Sequence, residues 1–303
     1  MSGTVLILGA SGRFGRHAAE AFWNRGWRVK IFDRHADELV EAAKDVDVIV
    51  NAWNPPYPDW EHDVPKLTEQ VISAAQSSRA TVILPGNVYV FGQDAPALFD
   101  ENTPHEATNP LGRVRIDLES AYRRSGVKTI LLRAGDFIDT EASGNWFDAV
   151  ITAKINRGTL VTPGDQDAEH AWAFLPDMAR AAVMLAEKRD ALAQFEDVPF
   201  PGITLSLEEL RQLSEAEAMR PLKARRFPWW AIRVSSLVWP MGRYLSEMSY
   251  LWSKPHRIDG TRFFTLLPDF YMTPADEAIS AALKCQINPY KAMPRSSAHV
   301  AAE

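Results

Sequence analysis

Residues Val5 to Gly15 read Val-Leu-Ile-Leu-Gly-Ala-Ser-Gly-Arg-Phe-Gly. A short apolar run ends at Gly9, glycines return at Gly12 and Gly15, and an amphipathic stretch follows from His17 to Trp27. This order predicts a strand, a tight turn and a helix. Gly9 makes the turn, Gly12 lets a phosphate approach the backbone, and Gly15 lets the helix pack on the strand. Backbone N–H groups and a helix N-terminus then converge, as a pyrophosphate needs. Ser11, Arg13 and Phe14 complete this candidate cofactor-binding turn.

A second apolar run from Trp27 ends at Asp33, close to where a ribose-binding acid belongs. The alternative is a purely structural glycine turn, with Asp33 capping the next helix. Asp33 accepts both ribose hydroxyls and repels a 2′-phosphate, which favours NAD. Arg34 and Arg13 are placed to hold that phosphate instead, which keeps NADP open.

Strands are predicted at 4–9, 28–33, 46–52, 80–87 and 128–133, and helices near 14–25, 36–44, 61–78 and 112–125. The alternation implies an α/β fold, a Rossmann-type doubly wound parallel sheet with a smaller C-terminal mixed lobe. Ligands bind such sheets beyond the carboxyl ends of the strands. Asn51, Ala52 and Trp53 fall at one such end, Gly86-Asn87 and Ala134–Phe137 at others. Trp53 borders the nicotinamide or the substrate, or else packs under a proline loop. After Phe137 the pattern changes: helices are predicted near 146–157, 176–188 and 206–218. Residues 1–137 with 171–192 are assigned to the dinucleotide-binding domain, and 138–170 with 193–303 to the substrate or cap lobe. Residues 294–303 are small and polar enough to fray.

A net charge of −6 with no basic block argues against a nucleic-acid surface. The single cysteine, Cys285, excludes an internal disulfide framework and fits a reducing cytoplasm. No apolar run is long enough for a membrane span. His62 and His105 have no partner at metal-ligand spacing, so no metal is expected. Trp229, Trp230, Trp239 and Trp252 crowd into one stretch. Its preferred reading is a helical cap packing on the rest of the chain; a homodimer surface and a membrane-facing amphipathic patch are the alternatives.

The chain resembles the extended short-chain dehydrogenase/reductase superfamily, in its epimerase/dehydratase-like branch. The resemblance rests on Gly9-x-x-Gly12-x-x-Gly15, Val48-Ile-Val-Asn-Ala52, Pro85-Gly-Asn-Val-Tyr-Val-Phe-Gly92, Leu132-Arg-Ala-Gly-Asp136 and Trp172–Ala179. Such a family implies catalysis by a Tyr, a Lys four residues later and a Ser. Aligned on the motif, those positions hold Leu111, Arg115 and Asn87. Leucine transfers no proton; arginine holds ribose hydroxyls but is no base. The family's usual strand after Asp33 has no room before Asp47, so the sheet is expected to be one strand short at that edge. The arginine that clamps a sugar-nucleotide diphosphate is replaced by His170, and Asp136 adds an acid, which argues against UDP- or dTDP-sugars.

A proton donor must then come from elsewhere. Asn87 can polarise a carbonyl. Tyr89 lies on the same side if the strand continues, and is otherwise a core tyrosine. Asp136 is a second candidate or a turn-capping acid; His170 is a third or a structural histidine. Arg115 is expected on ribose or phosphate. The resulting expectation is an atypical NAD(P)-dependent oxidoreductase acting on a small carbonyl or alcohol. The alternatives are a dinucleotide sensor without turnover and, less favoured, an epimerase or dehydratase.

Overall fold

The computed structural model describes residues 3–287. In chain order it contains β1 (Thr4–Leu8), α1 (Arg13–Asn24), β2 (Arg28–Ile31), α2 (Leu39–Ala42), β3 (Val48–Asn51), α3 (Trp60–Ser78), β4 (Thr81–Gly86), β5 (Leu98–Phe99), α4 (Pro110–Ser125), β6 (Thr129–Arg133) and β7 (Asp136–Ile138). There follow β8 (Thr159–Thr162), β9 (His170–Phe174), α5 (Leu175–Glu187), β10 (Phe195–Pro199), β11 (Ile203–Leu205), α6 (Leu207–Ala218) and β12 (Lys223–Arg226). The last are α7 (Trp229–Ser235), α8 (Pro240–Glu247), β13 (Arg257–Ile258), α9 (Thr261–Leu266) and α10 (Ala275–Ile287).

Six parallel strands form the main sheet in the order β10-β6-β4-β3-β1-β2. Strands β3 and β6 are buried along their whole length, and their centres, Val48–Val50 and Ile130–Leu132, are accordingly apolar. One face carries α1 and α5 with Phe263 and Phe270, and the other carries α3 and α4. The chain leaves β1 for β2 on one side and β3 on the other, so a crevice opens at the carboxyl end of β1. As expected, β2 is the edge. The helix expected at 36–44 shrinks to α2, because Asp33 O already accepts from the N–H groups of Ala36 and Asp37 in a turn.

The smaller part holds the sheet β11-β9-β7, the pairs β8–β12 and β5–β13, and a core around Phe147, Trp172, Leu210, Trp252 and Ile279. The expected helix at 146–157 breaks into a π-helical turn, Phe147–Ile151, and a 3-10 turn, Ile155–Arg157. Thr152 causes the widening: its N–H and hydroxyl both donate to Phe147 O, five residues back.

The division of the chain needs correction. Residues 193–303 were assigned to the lobe, yet β10 is a strand of the main sheet and Phe263 lies in its core. The stretch Phe195-Glu-Asp-Val-Pro lacks an apolar run because its acids are satisfied from afar. Glu196 pairs with Arg262, and Asp197 with Arg133. Conversely, β9 joins the small sheet. The fraying expected at 294–303 lies outside the described residues. No helix among those described is long and apolar enough to cross a membrane.

Candidate active site

Gly9 takes a left-handed φ of +77°, and its carbonyl accepts the Gly12 N–H at 2.9 Å. A Cβ on Gly15 would lie 2.1 Å from that same carbonyl, so α1 can sit this close to β1 only with glycine there. Helix α1 starts at Arg13 with Gly12 as its cap, and no side chain bonds its first N–H groups. These groups are left for an anion. They open on a cleft of about 2310 Å³, bounded by the carboxyl ends of β2, β3 and β4 and by residues 134–137 and 141–146. Drug-sized pockets measure about 300–1,000 Å³. The cleft therefore has room for a dinucleotide and a small second molecule.

At the β2 end, Asp33 is exposed to the cleft and accepts from the His35 N–H at 2.9 Å. Asp37 accepts from the Asp33 N–H, so two acids stand beside Arg34. Arg13 does not join them: it donates to Ser143 O at 3.1 Å and Gly144 O at 2.6 Å. Buried Asp139 ties the same segment to α1 through Arg16 at 2.9 Å and His17 at 2.8 Å. Residues 139–146 thus form a strap from the lobe to the glycine turn. Asn51 turns its amide inward to the Tyr122 hydroxyl, and Ala52 packs on Gly9. Trp53 stands edge-to-face with Phe32 at 5.6 Å. It borders the glycine turn, with its ring next to where a Cβ on Gly9 would lie.

Strand β4 ends at Gly86, and the chain enters a 3-10 turn at Val88–Phe91 instead of continuing extended. Asn87 causes this by accepting the Tyr89 N–H on Oδ1 at 3.1 Å. Tyr89 reaches the cleft by the turn, not by strand alternation, and its hydroxyl lies 2.7 Å from that of Tyr57. Burial pushes the Tyr89 hydroxyl well above its usual range, with Tyr57 and Asp136 adding to the shift. Burial also raises Tyr57. At neutral pH both are hydrogen-bond donors and not bases.

A Cβ on Gly135 would lie 2.0 Å from Ala171 O, so glycine lets the chain entering β7 press against β9. That approach brings Asp136 Oδ2 within 2.8 Å of His170 Nε2. Asp136 faces the cleft; His170 is buried behind it, stacked on Trp252 at 4.4 Å and edge-on to His256 at 4.4 Å. His170 therefore acts on the cleft only through Asp136. Burial, helped by His170, lowers His256 to about 3. Its Nδ1 carries the proton, because its neighbour there is the carbonyl of Lys254 at 2.9 Å.

Arg115 is buried and donates to Pro85 O at 2.6 Å, while its Nε has no partner. No carboxylate pairs with it among the described residues. Leu111 is core, and its N–H is capped by Glu247 at 2.9 Å, so nothing at that position replaces a tyrosine hydroxyl. The compact group His105, Glu119 and Asp197 surrounds the Arg133 guanidinium, which bonds both carboxylates. It is an ion-pair cluster. Sequence reasoning did not select Tyr57; its signal was a tyrosine directly after Pro55-Pro56 in the loop beyond β3.

A family model, the NAD dependent epimerase/dehydratase family, matches residues 5–198. The chain belongs to that family. No curated protein matches it by sequence. Among solved structures, UDP-glucuronic acid 4-epimerase from Bacillus cereus in complex with NAD is similar at TM-score 0.73 and 15% identity, covering 94% of this chain and 99% of that one. MoeE5 in complex with UDP-glucose and NAD gives 0.72 and 14%, covering 96% and 100%. WbmH from Bordetella bronchiseptica in complex with NAD+ gives 0.71 and 16%, covering 93% and 97%. At such identities the likeness speaks for the family's fold and not for a shared substrate.

Proposed function

We propose that this protein is an NAD(P)-dependent oxidoreductase acting on a small, largely apolar carbonyl or alcohol, with NAD preferred. One observation carries the reading. A single cleft holds the uncapped α1 N-terminus, the paired hydroxyls of Tyr57 and Tyr89, and Asp136 backed by His170.

The dinucleotide fits the residues present. The α1 N–H groups suit its pyrophosphate, Asp33 a ribose diol, and the unpartnered Nε of Arg115 another ribose hydroxyl. When bound, its nicotinamide supplies or accepts hydride. Of the two paired tyrosine hydroxyls, held protonated, one donates to the other, and that second O–H donates to the substrate oxygen and polarises it. Asp136 holds the proton that this oxygen gains on reduction or loses on oxidation, and His170 exchanges it with Asp136. Asn87 positions Tyr89 through the turn it caps. The acids Asp33 and Asp37 disfavour a 2′-phosphate, hence NAD over NADP.

The neighbours solved with NAD support the cofactor. The neighbour that is a UDP-glucuronic acid 4-epimerase favours a second reading, epimerisation through transient oxidation. Asp136 counts against it, because a carboxylate in the cleft repels a diphosphate.

The test is titration of the purified protein with NADH and NADPH, then turnover on carbonyl and sugar-nucleotide panels. Tighter NADH binding and carbonyl reduction are expected. Asp136→Asn should lower kcat by about 100-fold or more with the NADH Kd unchanged. Failure to bind either nucleotide sinks the proposal. Binding with no turnover on either panel moves the assignment to a sensor, and turnover of sugar nucleotides alone moves it to an epimerase.

A further inference from the structure

The tryptophan-rich stretch is only half a cap. Trp252 is buried and Trp229 donates to Pro163 O at 2.5 Å, so these two pack as expected. Trp230, Val234, Leu237, Val238 and Trp239 face outward instead; Leu237 and Val238 are 85% and 88% exposed. Helices α7 and α8 form a hairpin with Leu237, Val238 and Trp239 at its tip. Trp230 and Val234, four residues apart, extend the apolar face along α7.

Two further observations say what covers this face. The first is charge. Arg233 and Arg243 on the hairpin helices, and Lys223, Arg225 and Arg226 on β12 just before the hairpin in the chain, are exposed, and no acid occurs between residues 218 and 246. None of the five joins an ion pair among the described residues. This patch sits on a chain whose net charge is −6. The second is polar satisfaction. The N–H groups of Ser236, Leu237, Val238 and Trp239 all bond carbonyls within the hairpin. The hydroxyls of Ser235 and Ser236 turn back onto Ile232 O and Arg233 O. Residue 240 is proline and has no N–H. The tip can enter a medium without water and leave no backbone donor unpaired.

We propose that the α7–α8 hairpin is an interfacial anchor that docks this protein on an anionic lipid bilayer. The apolar tip enters the headgroup–acyl boundary, tryptophans lie at the interface, and the cations behind them meet lipid phosphates. Met241 and Leu245 on α8 line the cleft, so docking holds the cleft beside the bilayer. The inference is independent of the catalytic reading, since vesicle binding needs no cofactor.

The experiment is co-flotation of the full chain with vesicles of phosphatidylcholine alone or mixed with phosphatidylserine. Binding to the mixed vesicles that weakens with salt is expected. Leu237→Asp/Val238→Asp should lower it by about tenfold or more. Both side chains are exposed, so circular dichroism and melting should match the parent. Binding to neither vesicle, equal binding to both, or unchanged binding of the double variant overturns the proposal. So does a concentration-dependent dimer that the variant dissociates with no vesicle binding, which would assign the face to a second copy of the chain.

Discussion

Gly15 does not have a left-handed φ, yet no other residue fits there, because its Cβ would meet Gly9 O at 2.1 Å. The constraint is contact with rigid backbone on both sides. Gly15→Ala should therefore cost about 1–3 kcal/mol of stability and push α1 off β1. Urea unfolding with NADH titration checks this; a variant with parental stability and affinity would show that the turn is not rigid. The motif was legible because these contacts are local. Tyr57 was not, since its value depends on meeting Tyr89 from a different loop. Asn87 was selected as a carbonyl-polarising residue; what the sequence did not show is that its Oδ1 shapes the turn that delivers Tyr89.

At the scale of elements, the ion cluster behind the cleft joins three of them. Arg133 at the end of β6 bonds Glu119 of α4 at 2.8 Å and Asp197 of β10 at 2.6 Å. Burial opposes its charge, but the two carboxylates outweigh that and hold the guanidinium above its usual pKa. Removing the cation strands two buried acids. Arg133→Met should destabilise by about 3–5 kcal/mol, read by urea unfolding. A loss under about 1 kcal/mol would mean that water or His105 compensates. The same cluster explains why β10 escaped sequence reading: two acids in an edge strand look solvated until their partners, far along the chain, are known. Strands β1, β3, β4 and β6 were legible because each has an apolar run at its centre, as parallel strands buried on both faces favour.

For the whole molecule, His256 links stability to pH. Folded, it titrates near 3; its ordinary value is 6.5. Between these values the unfolded chain binds a proton that the folded chain does not. Its contribution is complete above 6.5 and is lost as pH falls toward 3, amounting to on the order of 5 kcal/mol. Melting temperature should drop through this window. In His256→Asn the drop should be shallower, even if the variant is less stable at pH 7; an equal slope would show that other groups set the acid limit. The doubly wound sheet, its missing edge strand and the glycine turn could be read from the chain alone, because they follow from apolar periodicity and local backbone sterics. That Asp136 meets His170, that Tyr57 meets Tyr89, and which tryptophans face outward came only with the folded chain. Those pairings join residues distant in the chain, and nothing in local patterning specifies which side chains a folded crevice brings together.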